Sequence, residues 1–218
     1  MSRNQLLTPM FVDDGDTGLV MTGLRRYNLF TAVFFLGRQR TLLAEFVARA
    51  GITPGRRTLD IGCGPGKLVR ASGDAAGPSG LATGVDPSEV AVADNRRRDR
   101  AGRYRYERGP AQELPFGDTE FDVVTCTFVM HHIPERHRSA ALAEMARVLR
   151  PGGTLLLADA SPSPRMRRVF ARFQDGDPFA AVDIRRYRDQ LEALGFTDPV
   201  YTQSRYQTGI LTAVKPAT

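Results

Sequence analysis

The sequence predicts an α/β domain whose mostly parallel sheet alternates with helices and closes on an antiparallel pair. Three observations carry this prediction. Short apolar runs alternate with segments of helical period, the first run enters a glycine-rich turn, and the tail holds two strand-like runs around Gln207-Thr208-Gly209. Alternation of this kind is the pattern of βαβ units, and the tail spacing suits a hairpin.

Taken in order, residues 1–26 read as an irregular or partly helical arm. From Arg38 to Ala50, the residues Leu42, Leu43, Phe46, Val47 and Ala50 recur at helical spacing, and Gly51 is a stop signal. Arg57 to Ile61 reads as a buried strand, and a helix can start at Lys67. Leu81 to Val85 is a second strand ending at Asp86, with Ser88 as N-cap of the next helix. Tyr104 to Glu107 is a third strand. Phe121 to Phe128, rich in β-branched and aromatic residues, is a fourth. Arg136 to Arg150 is a helix stopped by Pro151-Gly152-Gly153, and Thr154 to Ala158 is a fifth strand. Pro162, Pro164 and Pro178 mark an insertion at 161–181. A helix over Tyr187 to Leu194 leads to the final hairpin, Val200 to Tyr206 and Ile210 to Val214.

The 218 residues suit one domain with a sizeable core, and their 42% hydrophobic and 25% charged composition gives no reason to invoke disorder. No apolar run approaches the roughly 18–20 residues that span a bilayer. The N-terminus lacks the basic-then-apolar order of a secretory signal. Cys63 and Cys126, far apart in core-like segments, form no disulfide framework and no metal-ligand cluster, so a reducing cytoplasm is expected. Net charge is +6, carried almost wholly by arginine, because lysine occurs only at 67 and 215. The run Arg96, Arg97, Arg98, Arg100, Arg103, Arg105 reads either as a phosphate-binding patch or as a solvated helix end. Asp94, Asp99 and Glu107 interrupt or border it, and no comb of aromatics accompanies it for base stacking.

The chemistry concentrates at Asp60-Ile61-Gly62-Cys63-Gly64-Pro65-Gly66. Glycines after a strand permit positive φ and let a ligand approach the backbone. A dinucleotide fingerprint would be GxGxxG, placing pyrophosphate at a helix end. Here the order is GxGxG with Asp60 just before it, and a carboxylate repels pyrophosphate but attracts an ammonium group. Asp86 follows about twenty residues past the turn, where an acid at the end of the second strand accepts hydrogen bonds from ribose hydroxyls. The plainer reading of Asp86-Pro87-Ser88 is a turn and helix cap.

Four segments in order, DIGCGPG, GVDPS, AQELPFGDTEFDVV and RVLRPGGTLLLAD, resemble the class I S-adenosylmethionine-dependent methyltransferases, in the small-molecule branch that includes quinone C-methyltransferases. The resemblance covers roughly residues 38 to 160 well and the tail loosely. It implies a Rossmann-like, seven-stranded, mostly parallel sheet with an antiparallel last strand and helices on both faces. It also implies S-adenosylmethionine as cofactor and S-adenosylhomocysteine as product. By the same carry-over, Gly62, Cys63, Gly64 and Gly66 wrap the methionine end, with Asp60 near its ammonium. Asp86 holds the ribose, Pro87 lies against the adenine, and Ala111 and Gln112 meet the adenine edge. Cys126 and Thr127 face the cofactor near its methionine portion. Pro110 stands where many relatives carry Asp or Asn. The stretch Tyr27 to Arg40 looks like the segment that precedes the core in the quinone enzymes, with Asn28 where an acid is usual.

Residues 1–37 are thus expected to form an arm or lid helix, 38–218 the methyltransferase domain, and 161–181 a substrate cap. Tyr27, Phe30, Phe34 and His132 are candidates to line an apolar acceptor site, although Phe30 and Phe34 can equally pack a lid helix on the sheet. His131 and His132 are candidate proton acceptors, with Tyr27 a further one. The plainer reading of the histidine pair is that it shapes the pocket floor or caps the next helix. A metal site is not expected, since adjacent histidines diverge and no third ligand is evident. The expected partner is a small-molecule acceptor, the expected assembly a monomer or homodimer. An NAD-dependent oxidoreductase would want GxGxxG, and an arsenite-type methyltransferase would want accessible thiols. A nucleic-acid-binding or RNA-modifying protein would use the Arg96–Arg105 run.

Overall fold

Seven strands pair in the order β5-β4-β3-β6-β7-β9-β8, in a computed structural model that describes residues 9–35, 37–163 and 182–217. The strands are β3 (Arg57–Ile61), β4 (Leu81–Asp86), β5 (Arg105–Arg108), β6 (Phe121–Thr127), β7 (Leu149–Ala160), β8 (Thr197–Ser204) and β9 (Thr208–Val214). β3 to β7 run parallel, and β9 lies antiparallel between β7 and β8. The helices are α2 (Gln39–Arg49), α3 (Lys67–Ala76), α4 (Glu89–Arg98), α5 (Glu135–Val148) and the short α6 (Arg188–Ala193). Order reverses beside β3, so the carboxyl ends of β3 and β6 open a crevice where ligands bind in such sheets.

Side chains alternate across the sheet with the strand period of two. Leu155 and Leu157 of β7 join Leu59, Ile61, Val124 and Cys126 in the core under α5 and α6. Leu156 and Ala158 join Val123, Leu42, Phe46 and Leu68 in the core under α2 and α3. Helices therefore cover both faces, as the fold class requires. α5 ends two residues earlier than the Pro151-Gly152-Gly153 signal suggests, because Leu149 is already extended and pairs with Phe121. The proline and glycines instead form an irregularity inside β7, after which Thr154 pairs with Val123.

The arm differs from the sequence expectation. It folds as an antiparallel hairpin, β1 (Phe11–Asp14) and β2 (Gly18–Met21), followed by α1 (Leu24–Phe34). The hairpin is held by tertiary contacts. Leu19 N–H donates to the His132 carbonyl at 3.2 Å, Ser88 Oγ donates to the Met21 carbonyl at 2.5 Å, and Gln112 Nε2 donates to the Asp16 carbonyl at 3.1 Å. Gly18 has φ +90°, and a Cβ there would lie 2.1 Å from the His132 carbonyl oxygen, so only glycine fits. From residue 164 onward the expected cap lies outside the described residues.

Five of the six arginines of the run, all but Arg100, pair with carboxylates of the chain. Arg96 pairs with Glu107, Arg97 and Arg98 with Asp94, Arg103 with Asp74, and Arg105 with Glu107 and Glu120.

Leu156→Ala is expected to lower the unfolding free energy by about 2–5 kcal/mol, read as a lower denaturant midpoint at unchanged slope. Gly18→Val is expected to undock the hairpin alone. Limited proteolysis within residues 9–21 should accelerate while the denaturant midpoint of the sheet stays in place.

Candidate active site

The glycine turn leaves β3 with Gly62 and Gly64 at positive φ, and Gly66, also left-handed at φ +66°, starts α3. Its position is fixed from β4 and α4. Gly64 N–H donates to Asp86 Oδ2 at 2.8 Å, and the Gly64 carbonyl accepts from Asn95 Nδ2 at 2.7 Å. Asp86 Oδ1 accepts from Ser88 N–H at 2.8 Å, and Ser88 Oγ caps α4 by accepting from Ala91 N–H. The turn-and-cap reading of Asp86 is therefore realised, yet the same carboxylate also faces a cleft.

That cleft runs between the strand ends and the arm. Asp60, Gly62, Cys63, Gly64, Asp86, Pro87, Ala111 and Thr127 line it, together with Tyr27 and His132. Phe11, Thr17, Leu19 and Met21 of the hairpin roof it. Phe35, Leu42, Leu43, Phe46 and Phe128 form an apolar wall, with Lys67 and Gln39 nearby on the lining. Phe128 adopts φ 58°, a strained conformation for an aromatic residue. Its ring meets those of Phe35 and Phe46 at centroid distances of 5.7 and 6.2 Å.

Several expected residues sit elsewhere. Cys126 is fully buried on the α5 face, because strand alternation turns it away from Thr125 and Thr127. Gly66 packs against Asn95 and Tyr106, where a Cβ would lie 2.6 Å from Asn95 Oδ1. Gln112 holds the hairpin through its amide nitrogen. Phe30 is half exposed on the outer side of α1, and the side chain of Phe34 lies outside the described residues. His131 is not on the cleft lining but bonds Asp159, Nδ1 to Oδ2 at 2.7 Å, and that carboxylate is buried at the end of β7. Sequence reasoning missed Asp159, Asn95, Lys67 and the hairpin residues. The strand-end position of Asp159 was the one available signal.

Burial sets the electrostatics. Desolvation pushes the Asp60 carboxyl up to about 7, against the hydrogen bond from Thr125 Oγ1 at 2.9 Å and with help from the Asp86 charge. Asp86 is raised by desolvation as well, opposed by its two backbone donors. The Tyr27 phenol is pushed up to about 12 by burial and then by Asp86, Asp60 and Asp159, so it remains a hydrogen-bond donor at neutral pH. The two histidines, whose rings lie 4.0 Å apart, differ in kind. Burial, then the His131 charge, lowers His132 to about 3, and its ring packs 4.8 Å from that of Phe11.

The lining suits an adenosyl group. Thr17 Oγ1 and His132 Nδ1 are buried and without a hydrogen-bond partner, and both residues lie on the cleft. Buried polar atoms of this sort are costly until a ligand meets them. Among the described residues no group of three metal-ligating side chains occurs, and no helix is long and apolar enough to cross a membrane.

A parallel sheet with this strand order, ending in a glycine turn beside two carboxylates, is the methyltransferase architecture. The family described as "Methyltransferase domain" matches residues 58–153. Over 151 residues the chain is 34% identical to the ubiquinone/menaquinone biosynthesis C-methyltransferase UbiE of Ectopseudomonas mendocina, covering 66% of this chain and 58% of that enzyme. It is 32% identical over 182 residues to the UbiE of Burkholderia mallei, covering 75% and 74%. A SAM-dependent methyltransferase from Aquifex aeolicus shares the fold with a TM-score of 0.67 at 19% identity, over 79% of this chain and 89% of that one. The chain belongs to the class I S-adenosylmethionine-dependent methyltransferases.

The Asp60 carboxyl ionises near about 4 in an unfolded chain and near about 7 in the fold. Between these values the folded state keeps a proton that the unfolded state has released, so stability falls as pH rises through the window and levels off above it. Asp60→Asn retains the acceptor for Thr125 without the charge. Its stability relative to the parent is expected to grow from about pH 4 to about pH 7 and then stay constant. Denaturant titrations of the cofactor-free protein at several pH values check this.

Proposed function

We propose that this enzyme transfers the methyl group of S-adenosylmethionine to a small, apolar or aromatic acceptor by in-line displacement at the sulfonium carbon. The carrying observation is the composition of one cleft, with buried carboxylates at the glycine turn and a Phe/Leu wall beside them. The bound cofactor supplies an activated methyl group, whose carbon–sulfur bond breaks with its electron pair left on sulfur. The chain's residues bind, orient and exclude water, which suffices for a reaction of this type.

In this reading Gly62, Cys63 and Gly64 present backbone to the methionine end, and Asp60 faces its ammonium. Asp86 accepts ribose hydroxyls with lone pairs left over from its two backbone donors. Pro87 and Ala111 flank the adenine, and Gln112 holds the hairpin turn beside them. Thr17 Oγ1 offers a partner where Pro110 provides none. Residues 1–37 act as the lid of a catalytic domain spanning 38–218, and 161–181 as its cap. Tyr27, Phe35, Phe46 and Phe128 hold the acceptor. The relatives' printed names, C-methyltransferases of ubiquinone and menaquinone biosynthesis, favour an apolar ring and carbon as the methylated atom, with oxygen and nitrogen as alternatives.

His131 is the proton acceptor in this scheme: it stands behind His132, whose ring lies 4.0 Å from its own and lines the cleft, so it serves an acceptor that extends past His132. A carboxylate against Nδ1 fixes the imidazole with its proton on that nitrogen, which leaves the Nε2 lone pair available. His132, lowered to about 3, is too weak a base for the task and serves as a pocket wall.

Calorimetric titration is expected to show binding of S-adenosylmethionine and S-adenosylhomocysteine but not NAD, weakened tenfold or more in Asp86→Ala by roughly the worth of its charge-assisted bonds. Absence of adenosyl binding, or binding of NAD instead, refutes the cofactor assignment. With a panel of phenolic and quinol acceptors, His131→Gln and Asp159→Asn should both lower kcat by about 100-fold or more while cofactor affinity holds. Unchanged turnover in both removes the base.

A further inference from the structure

We propose that Lys67 is the anion-recognising residue of the cleft, a positioning residue that holds the α-carboxylate of the methyl donor's amino-acid end. This deepens the cofactor reading above and rests on it. The charged side chains on the lining are Asp60, Lys67 and Asp86, so the described residues offer one cation beside two carboxylates. Both carboxylates already have donors from the chain, Thr125 for Asp60 and the Gly64 and Ser88 amides for Asp86.

Lys67 has no such match. Its Nζ donates to two neutral oxygens, Gln39 Oε1 at 2.8 Å and Thr31 Oγ1 at 3.3 Å. No ion pair among the described residues includes it. The contrast with α4 is direct, since Arg96, Arg97 and Arg98 there find carboxylates while exposed to solvent. An ammonium drawn partly out of water without a counter-ion is costly. Consistent with that, burial, and secondarily the Arg70 charge, lowers the Lys67 pKa. Lys67 is also the first residue of α3, where unsatisfied amides and the helix dipole add to the attraction for an anion.

The donor's amino-acid end carries an ammonium and a carboxylate on one carbon. The glycine turn is flanked by a carboxylate at residue 60 and an ammonium at residue 67, the complementary pair of charges. Gln39 and Thr31 hold the lysine from α2 and α1, so the elements preceding the sheet help to aim it.

Calorimetry on the full chain separates this role from a general effect on the cleft. The ligands are S-adenosylhomocysteine, its decarboxylated analogue, which keeps the amine, and 5′-methylthioadenosine, which lacks the whole amino-acid end. Lys67→Met is expected to weaken S-adenosylhomocysteine by about tenfold to hundredfold, the worth of a charge-assisted contact. It should leave the other two ligands within about twofold, the spread of uncoupled sites. Lys67→Arg should recover most of the loss. Equal weakening of all three ligands, or unchanged binding of S-adenosylhomocysteine, overturns the assignment while the cofactor reading stands. A parent protein that binds none of the three overturns both. Circular dichroism melts check that Lys67→Met is folded, and Lys67→Gln carries the same comparison if it is not.

Discussion

The carboxylate of Asp86 is the point on which the site depends. One oxygen holds the Gly64 amide and the other holds the Ser88 amide, so the glycine turn and the start of α4 are tied to the end of β4. Ser88 then carries the tie outward, because its hydroxyl reaches the Met21 carbonyl and anchors the hairpin roof. Three segments separated by tens of residues thus meet at one buried acid. Burial raises its pKa, and the two backbone donors oppose that shift. An acid placed this way organises the walls of the cleft before any ligand arrives, which is preorganisation in the structural sense.

The sheet decides which members of a motif reach that cleft. Asp60 on β3, and Thr125 and Thr127 on β6, point to one side, while Val124 and Cys126 point to the other. A motif read as a continuous string cannot separate these sets, but the period of two can. The same alternation explains why β7 contributes to two cores at once, through Leu155 and Leu157 on one face and Leu156 and Ala158 on the other.

Much of this was legible in the sequence because it is local. The strands, the glycine turn, the Ser88 cap and the final hairpin each follow from a short local pattern. The N-terminal hairpin was not legible. Phe11–Asp14 and Gly18–Met21 are four residues each, show no apolar alternation, and are held by partners at residues 88, 112 and 132. The division between His131 and His132 was equally hidden. Neighbours in sequence, they differ because Asp159 comes to one and Phe11 to the other. Lys67 read only as a helix start, since its partners Gln39 and Thr31 are brought near by packing.

The hairpin roof has a kinetic consequence. Its inner side chains Phe11, Leu19 and Met21 lie on the cleft itself, and a few hydrogen bonds, with the Arg136 guanidinium against its Gly15–Asp16 turn, hold it down. On the proposed cofactor reading, a ligand at the adenosyl end sits beneath this cover, and arrival and departure share one opening step. Such a step slows association below the rate of diffusional encounter and lengthens residence by the same factor, leaving the equilibrium constant untouched. On the proposed reading, the latch at Ser88 is placed to set the pace of the catalytic cycle.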